Sequence, residues 1–444
     1  MTGTVAGRTE PEPDTGRGAG AWSSALRVAT LLTALLTVAV VARTQGEDRF
    51  GSWTVAVAVV SGLLILDLGL GNVLVRTSGR LAASGRAEEV PGLVAAARRY
   101  AALRISAPTA VIGVVAAAVV LTTGATLGDL DTIDLSTTVL ALGLVSPALA
   151  LLYMAPRARI GLGQVTQSSR LGILGCVVQV VVVVVGVRAR VPLGLLVAAN
   201  FTSQLVGWGL DTLVVRRSAP PGPTVTLDPA LVRDGRRYQV LVISGFAGFN
   251  ADAILVGAIV GPAAAGLVAL AARVVLTPSM VVTSWFTPRW GTVARTEVHR
   301  PEDVRSLVLR TVLWAGGVSA AASVTAGVLA GPLVRIIAGP GFEVPSDVVW
   351  ATVAAGVVLG VAAALAVALN GLGLVAEQLR LGVASALVNL ALGVVLCVRL
   401  GAVGAPLATA VAHGLIGIPM SVLAVRERLR TPHARVGDDR GARP

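Results

Sequence analysis

Apolar residues occur along this chain in long blocks, and each block is long enough to be read as one element. Each runs for about 17–25 residues, the length at which an α-helix crosses the hydrocarbon core of a bilayer. Twelve such blocks fall near 22–43, 51–75, 100–124, 135–156, 171–187, 192–215, 238–260, 263–287, 307–330, 347–370, 378–399 and 402–425. The polar stretches between them are short. The largest, 76–99, 216–237 and 288–306, are too small to hold a folded catalytic domain. Within the first, GRLAASGRAEEVPGLVAAARR predicts a short amphipathic helix lying at the membrane surface. The second is Pro/Gly-rich and predicts a linker between two six-span halves. The pattern therefore predicts a disordered tail (1–21), an N-lobe (22–215), the linker (216–237), a C-lobe (238–425) and a second tail (426–444).

Composition agrees with a membrane protein: 55% hydrophobic residues, 14% charged and a mean hydropathy of +0.80. The net charge of +12 does not suggest a nucleic-acid partner, because the basic residues, all Arg, sit mainly between the apolar blocks. With the N-terminus placed inside, 29 of the 36 arginines fall on the inner segments and only Arg43, Arg49, Arg188, Arg190, Arg335 and Arg399 on the outer ones. The positive-inside rule then puts both termini and the linker in the cytoplasm. The outer turn GDLDTID carries Asp129, Asp131 and Asp134 without an arginine, and reads as a short solvated turn. Cys176 and Cys397 lie inside spans with no Cys or His at metal spacing, so both read as packing residues and no metal or cofactor is expected.

The halves repeat. Gly46-x4-Gly51 closes the first hairpin and Gly261-x4-Gly266 the fourth, at an offset of 215. Arg170-Leu171-Gly172 opens span five and Arg380-Leu381-Gly382 opens span eleven, at an offset of 210, which Gln179 and Asn389 keep. Six spans per half give both halves the same orientation, a parallel repeat of the kind that places a substrate site between two lobes.

Charges inside the spans are costly, a few kcal/mol each on insertion scales. Asp67 lies 20 residues after the turn at Glu47 and Arg27 lies 20 before it, so the two are expected at one depth and as a pair. Asp252 and Arg273 flank the turn at Pro262 at similar distances and make a second expected pair. Such pairs serve either to fix helix register or to gate a central cavity. Asn200, Gln204, Asp211, Asn250, Asn370 and His413 read as interhelical hydrogen-bonding groups, with His413 also able to couple a proton.

Three stretches resemble one transporter group. ARTQGEDRFGSWTVAVAVVSGLLILDLGLGNVLVR is similar to a pattern of Arg, Gly-x-x-x-Phe-Gly and Asp-Leu-Gly. NADAILVGAIVGPAAAGLVALAARVVLTPSMV and the stretch from LVRIIAGPGF to LGAVGAPLATAVAHGL follow in the same order. Together they resemble the polysaccharide-transporter or Wzx-like flippases of the multidrug/oligosaccharidyl-lipid/polysaccharide (MOP) exporter superfamily. The resemblance implies an all-α, V-shaped bundle of about twelve membrane helices in two lobes. It implies movement of an oligosaccharide on an undecaprenyl pyrophosphate carrier between leaflets of a bacterial cytoplasmic membrane, driven by alternating access. It further implies partners among polysaccharide polymerases and glycosyltransferases, and a coupling ion, H+ or Na+. The family's acidic position in the second span falls on Asp67, and its Asp and Arg in spans seven and eight on Asp252 and Arg273. Arg27, Arg273 and Arg104 are the cations available for pyrophosphate. The chain departs from the pattern at Pro262 and Leu267, and it lacks the two extra spans of the peptidoglycan-precursor branch. Two other readings are a drug/cation antiporter of the same superfamily, which wants a dominant acidic site, and a membrane glycosyltransferase or its scaffold. The glycosyltransferase would need paired carboxylates, for which GDLDTID is the only candidate loop.

Overall fold

The structure is a computed structural model, and it describes residues 17–63, 69–127, 130–217, 227–249, 251–286, 293, 296 and 301–430. Asp67, Asp129, Asn250, the linker core and most of both tails lie outside them. Among the described residues the protein is helical throughout, with one isolated bridge between Leu127 and Leu130. The helices, in chain order, are α1 (Arg17–Leu63), α2 (Leu70–Ala83), α3 (Val90–Ala101), α4 (Ala107–Thr123), α5 (Thr132–Leu152), α6 (Met154–Gly161), α7 (Val165–Arg188), α8 (Leu193–Ala199) and α9 (Thr202–Arg217). The second half follows with α10 (Pro229–Phe249), α11 (Ala251–Ile259), α12 (Pro262–Phe286), α13 (Pro301–Val328), α14 (Ala330–Ala338), α15 (Ser346–Gly371), α16 (Val375–Leu400), α17 (Gly404–Ala412) and α18 (Ile418–Arg430).

Eight helical stretches are long and apolar enough to cross a membrane, or nine if the bent pair α8–α9 is one span, among the described residues. Two of the eight, Ala21–Leu63 and Ala376–Arg430, run for 43 and 55 residues, about twice one crossing. Each breaks at a glycine with positive φ: Gly46 (77°) and Gly401 (64°). Residues other than glycine avoid that region, which makes these the natural reversal points. Past Gly46, the second arm of α1 runs antiparallel to α10–α11. Gly51 abuts Pro262, Val55 abuts Gly257, Gly62 abuts the Phe246 ring, and Gly69 abuts Gly235. Past Gly401, α17 folds back on α16, with Gly404 against Leu396 and Cys397. Counting each of these two long stretches as two gives ten, or eleven with the bent pair, among the described residues, and the predicted all-α membrane bundle is what forms.

Packing divides by face. One apolar core joins both lobes at the face away from the chain termini: Val41, Phe50 and Leu193 meet Leu270, Val334 and Phe342. Nearer the terminal face each lobe has a core of its own, one around Leu70, Val90 and Met154 and the other around Val304, Leu369 and Val425. The lobes are therefore sealed together at the distal face. Arg43 reinforces the seal by donating to the carbonyls of Ile336 and, from Nε at 3.1 Å, Ile337 at the end of α14. The Phe50 and Phe342 rings meet edge to face, with centroids 5.7 Å apart.

Several local expectations change. The predicted surface helix is the foot of the third traverse: α3 continues through a π-turn at Ala102–Ser106 into α4. Its amphipathic face, Val90, Leu93, Val94 and Ala97, docks on Met154, Ala158 and Val215 rather than on lipid. The C-terminal part of the linker is already helical, because α10 starts at Pro229. An additional short helix, α14, follows α13. The GDLDTID turn is not simply solvated. Asp131 caps α5 by accepting from the Asp134 N–H at 2.7 Å, while Asp134 is buried, pairs with Arg49 at 2.7 Å and accepts from the Leu193 N–H at 2.8 Å. Those carboxylates tie three distal helix ends together.

Candidate functional site

A cavity of about 200 Å3 opens between the second arm of α1 and the C-lobe helices α11, α12, α15 and α17. Its walls are largely apolar, and its polar groups are few. Asp252, at the start of α11, faces Thr409 on α17, whose hydroxyl lies 3.2–3.3 Å from both carboxylate oxygens. The same hydroxyl lies 3.2 Å from Asn389 Oδ1 on α16, so three helices meet at one polar node. Arg273, on α12, lines the cavity and is exposed. Trp53 and Thr54 add Nε1 and Oγ1, both buried and both without a hydrogen-bond partner. Buried donors of this kind are rarely left unsatisfied unless water or a ligand meets them.

Asp252 and Arg273 thus reach the same cavity, as their matched distances from Pro262 imply. They do not pair: no ion pair joins them, and no described carboxylate lies within 4.0 Å of the Arg273 guanidinium. Depth along two helices fixes height but not the direction in which each side chain leaves its axis. Asp252 turns to Thr409 instead. The Arg27–Asp67 pair falls partly outside the described residues through Asp67. Arg27 itself is exposed, about 28 Å of helix from the Gly46 turn, which places it near the terminal edge of the bundle and away from the cavity. Arg104 is exposed on the π-turn and also does not line the cavity.

The repeat is visible at this level. Gln179 on α7 donates to Thr37 Oγ1 at 3.2 Å and accepts from the Ser203 N–H at 3.3 Å. Its counterpart Asn389 on α16 makes the node with Thr409. Gly51 and Gly266, the second glycines of the two hairpin motifs, pack backbone to backbone across the lobes.

Neither a family model nor a curated protein sequence matches this chain. Solved structures do. A multidrug resistance MATE family transporter of the MOP superfamily, in an inward-facing conformation, superposes with a TM-score of 0.69 at 12% identity, covering 93% of this chain and 99% of that one. The lipid II flippase MurJ, in an inward closed conformation, gives 0.60 at 11% identity over 92% and 89%. The MATE multidrug transporter DinF-BH gives 0.59 at 16% identity over 94% and 99%. This chain shares their fold. Within it, the internal repeat of the sequence accounts for the matched places of Gln179 and Asn389. Each sits in the fifth helix of its lobe and ties that helix to the sixth, where the chain is interrupted in both halves. α8–α9 bends by 48°, and a π-turn at His413–Gly417 interrupts the helix after α17. Trp53, Thr54 and Thr409 were not singled out from the sequence, since a Trp or Thr inside an apolar block carries no signal that it faces a cavity.

Proposed function

We propose that the protein is a flippase for a lipid-linked oligosaccharide, carried on undecaprenyl pyrophosphate, and that it works by alternating access in a bacterial cytoplasmic membrane. The observation that carries this reading is the donor set of the cavity. Arg273 has no described carboxylate to neutralise it, and the orphaned Trp53 N–H and Thr54 hydroxyl add neutral donors. Together they suit a ligand rich in oxygen and bearing negative charge. A guanidinium grips a phosphate through two parallel hydrogen bonds, which a point charge cannot do. The prenyl tail stays in lipid while the headgroup crosses about 30 Å of hydrocarbon. Asp252, held by Thr409, is the group available to a coupling ion, H+ or Na+. Polymerase and glycosyltransferase partners would supply and consume the glycan.

A multidrug exporter is the second reading, favoured by the Asp252 carboxylate in a largely apolar cavity. One experiment separates the two. Proteoliposomes are loaded with a fluorescent undecaprenyl-pyrophosphate oligosaccharide, and in parallel with a cationic dye, and leaflet exchange and dye transport are measured. The flippase reading expects glycan exchange that falls roughly 10–100-fold in Arg273→Ala, the range for losing a hydrogen bond to a charged group, and only partial activity in Arg273→Lys. Dye transport without glycan exchange, or full exchange by a well-folded Arg273→Ala protein, overturns it.

A further inference from the structure

A second cavity, which shares no lining residue with the Arg273 cavity, lies in the N-lobe. It measures about 430 Å3 and runs between α3 and α9. Its apolar floor includes Pro91, Val94 and Val215. Its rim carries Arg98, Arg99 and Arg216, and no carboxylate is among its described lining residues. Arg98 and Arg216 line this one cavity with no described carboxylate among its lining residues, and like charges gathered in one groove favour an anion between them.

A neutral group points the same way. Thr212 lines the cavity, is only 5% exposed, and its hydroxyl has no hydrogen-bond partner. A buried hydroxyl of this kind costs free energy unless something fills the space beside it. A phosphate between the guanidiniums would accept from that hydroxyl as well as from the arginines. The position also fits a lipid. α9 ends at Arg217, next to Arg216, and α3 follows the Ala87–Glu89 turn, so the groove lies beside helix ends. Val111, Ile112 and Val115 on the following helix α4 are exposed apolar side chains.

We propose that this groove binds the phosphate headgroup of an anionic bilayer phospholipid, with Arg98 and Arg216 gripping the phosphate and Thr212 donating to it. The site is separate from the Arg273 cavity, so it anchors or tunes the N-lobe rather than carrying cargo. Basic pockets between membrane helices on the inner side take anionic headgroups on the same physical grounds.

The test uses the purified full-length protein in detergent, with binding read by native mass spectrometry and thermal shift. Phosphatidylglycerol and cardiolipin are titrated against phosphatidylcholine, inorganic pyrophosphate and undecaprenyl pyrophosphate. The expected result is retention of and stabilisation by the anionic phospholipids, not by phosphatidylcholine. Arg98→Gln and Arg216→Gln should each weaken binding roughly fivefold, and both together more than tenfold. Arg27→Gln, an exposed arginine elsewhere on the same lobe, should leave binding unchanged. Thr212→Val keeps the shape of the site and gives a folded control, with binding reduced and the thermal midpoint without lipid kept or raised. Equal binding of phosphatidylcholine, unchanged binding in the double variant, or equal loss in Arg27→Gln overturns the proposal. Tight binding of pyrophosphate alone makes the groove a soluble-anion site, and selective binding of undecaprenyl pyrophosphate makes it a cargo site. Either result also overturns the phospholipid assignment.

Discussion

Arg159 is the largest fully buried side chain among the described residues, and its charge is met locally. It pairs with Asp211 and donates to Gln167, and its Nε reaches Gln164 Oε1 at 3.2 Å, while Ser168 donates to the second oxygen of Asp211 at 2.7 Å. The cluster joins α6, α7 and α9 on the terminal side of the N-lobe. Asp211 stood out in the sequence as a hydrogen-bonding residue inside a span. Arg159 did not, because it fell at the edge of a block and counted as a loop cation. Removing one member of a buried pair strands the other, at a cost of about 3–5 kcal/mol. Asp211→Ala should therefore lower the thermal midpoint sharply in detergent, and the joint change Arg159→Met with Asp211→Leu should recover most of it. A double variant no more stable than Asp211→Ala would show that the stranded arginine is not what destabilises the single variant.

At the scale of elements, close helix approach decides where the lobes meet. A side chain added at Gly51 would run into the backbone carbonyl of Pro262, and one added at Gly266 would lie 3.1 Å from the Gly51 Cα. Backbone cannot swing aside as a flexible side chain can, and small residues are what allow membrane helices to pack this tightly. Gly51→Ala should push α1 away from α12 and loosen the distal seal. A cysteine placed at Phe342, one of the residues in that seal, should then react faster with a water-soluble maleimide than it does with Gly51 intact. Unchanged labelling would mean that the seal does not depend on this contact. The same two glycines were visible in the sequence as members of a repeated hairpin motif, but a repeat alone does not say that its copies touch.

For the whole molecule, the arginine distribution and the packing bear on one question, which face is cytoplasmic. The distal face holds the apolar core shared by both lobes, the Arg43 contacts with α14 and the Arg49–Asp134 pair. The segments expected on the terminal side carry most of the arginines in the sequence. With that face in the cytoplasm, the lobes are closed toward the outside and their separate cores lie toward the inside. In a background with Cys176 and Cys397 replaced by Ala, a single cysteine at Leu127 should be modified by an impermeant reagent in intact cells. One at Arg217 should react only after lysis. The reverse pattern would invert the orientation and with it the direction of flipping.

The sequence by itself determined the class of this protein, and it did so through free energies that need no partner. A block of about twenty apolar residues is placed in a bilayer by its own transfer free energy, and its backbone must then be helical to satisfy its hydrogen bonds. Block lengths, loop charges and paired glycines therefore carried the span pattern and the repeat. They also carried Asp252 and Arg273 to a common depth. The tertiary structure decided what lies beside what. Inside lipid nearly every residue on a span is apolar, so the hydrophobic pattern gives no sign of which helix face meets a neighbour, a cavity or a lipid tail. That is why Asp252 turns to Thr409 and not to Arg273, why α3 docks on the N-lobe instead of floating at the surface, and why Trp53, Thr54 and Thr212 emerged only once the helices were packed.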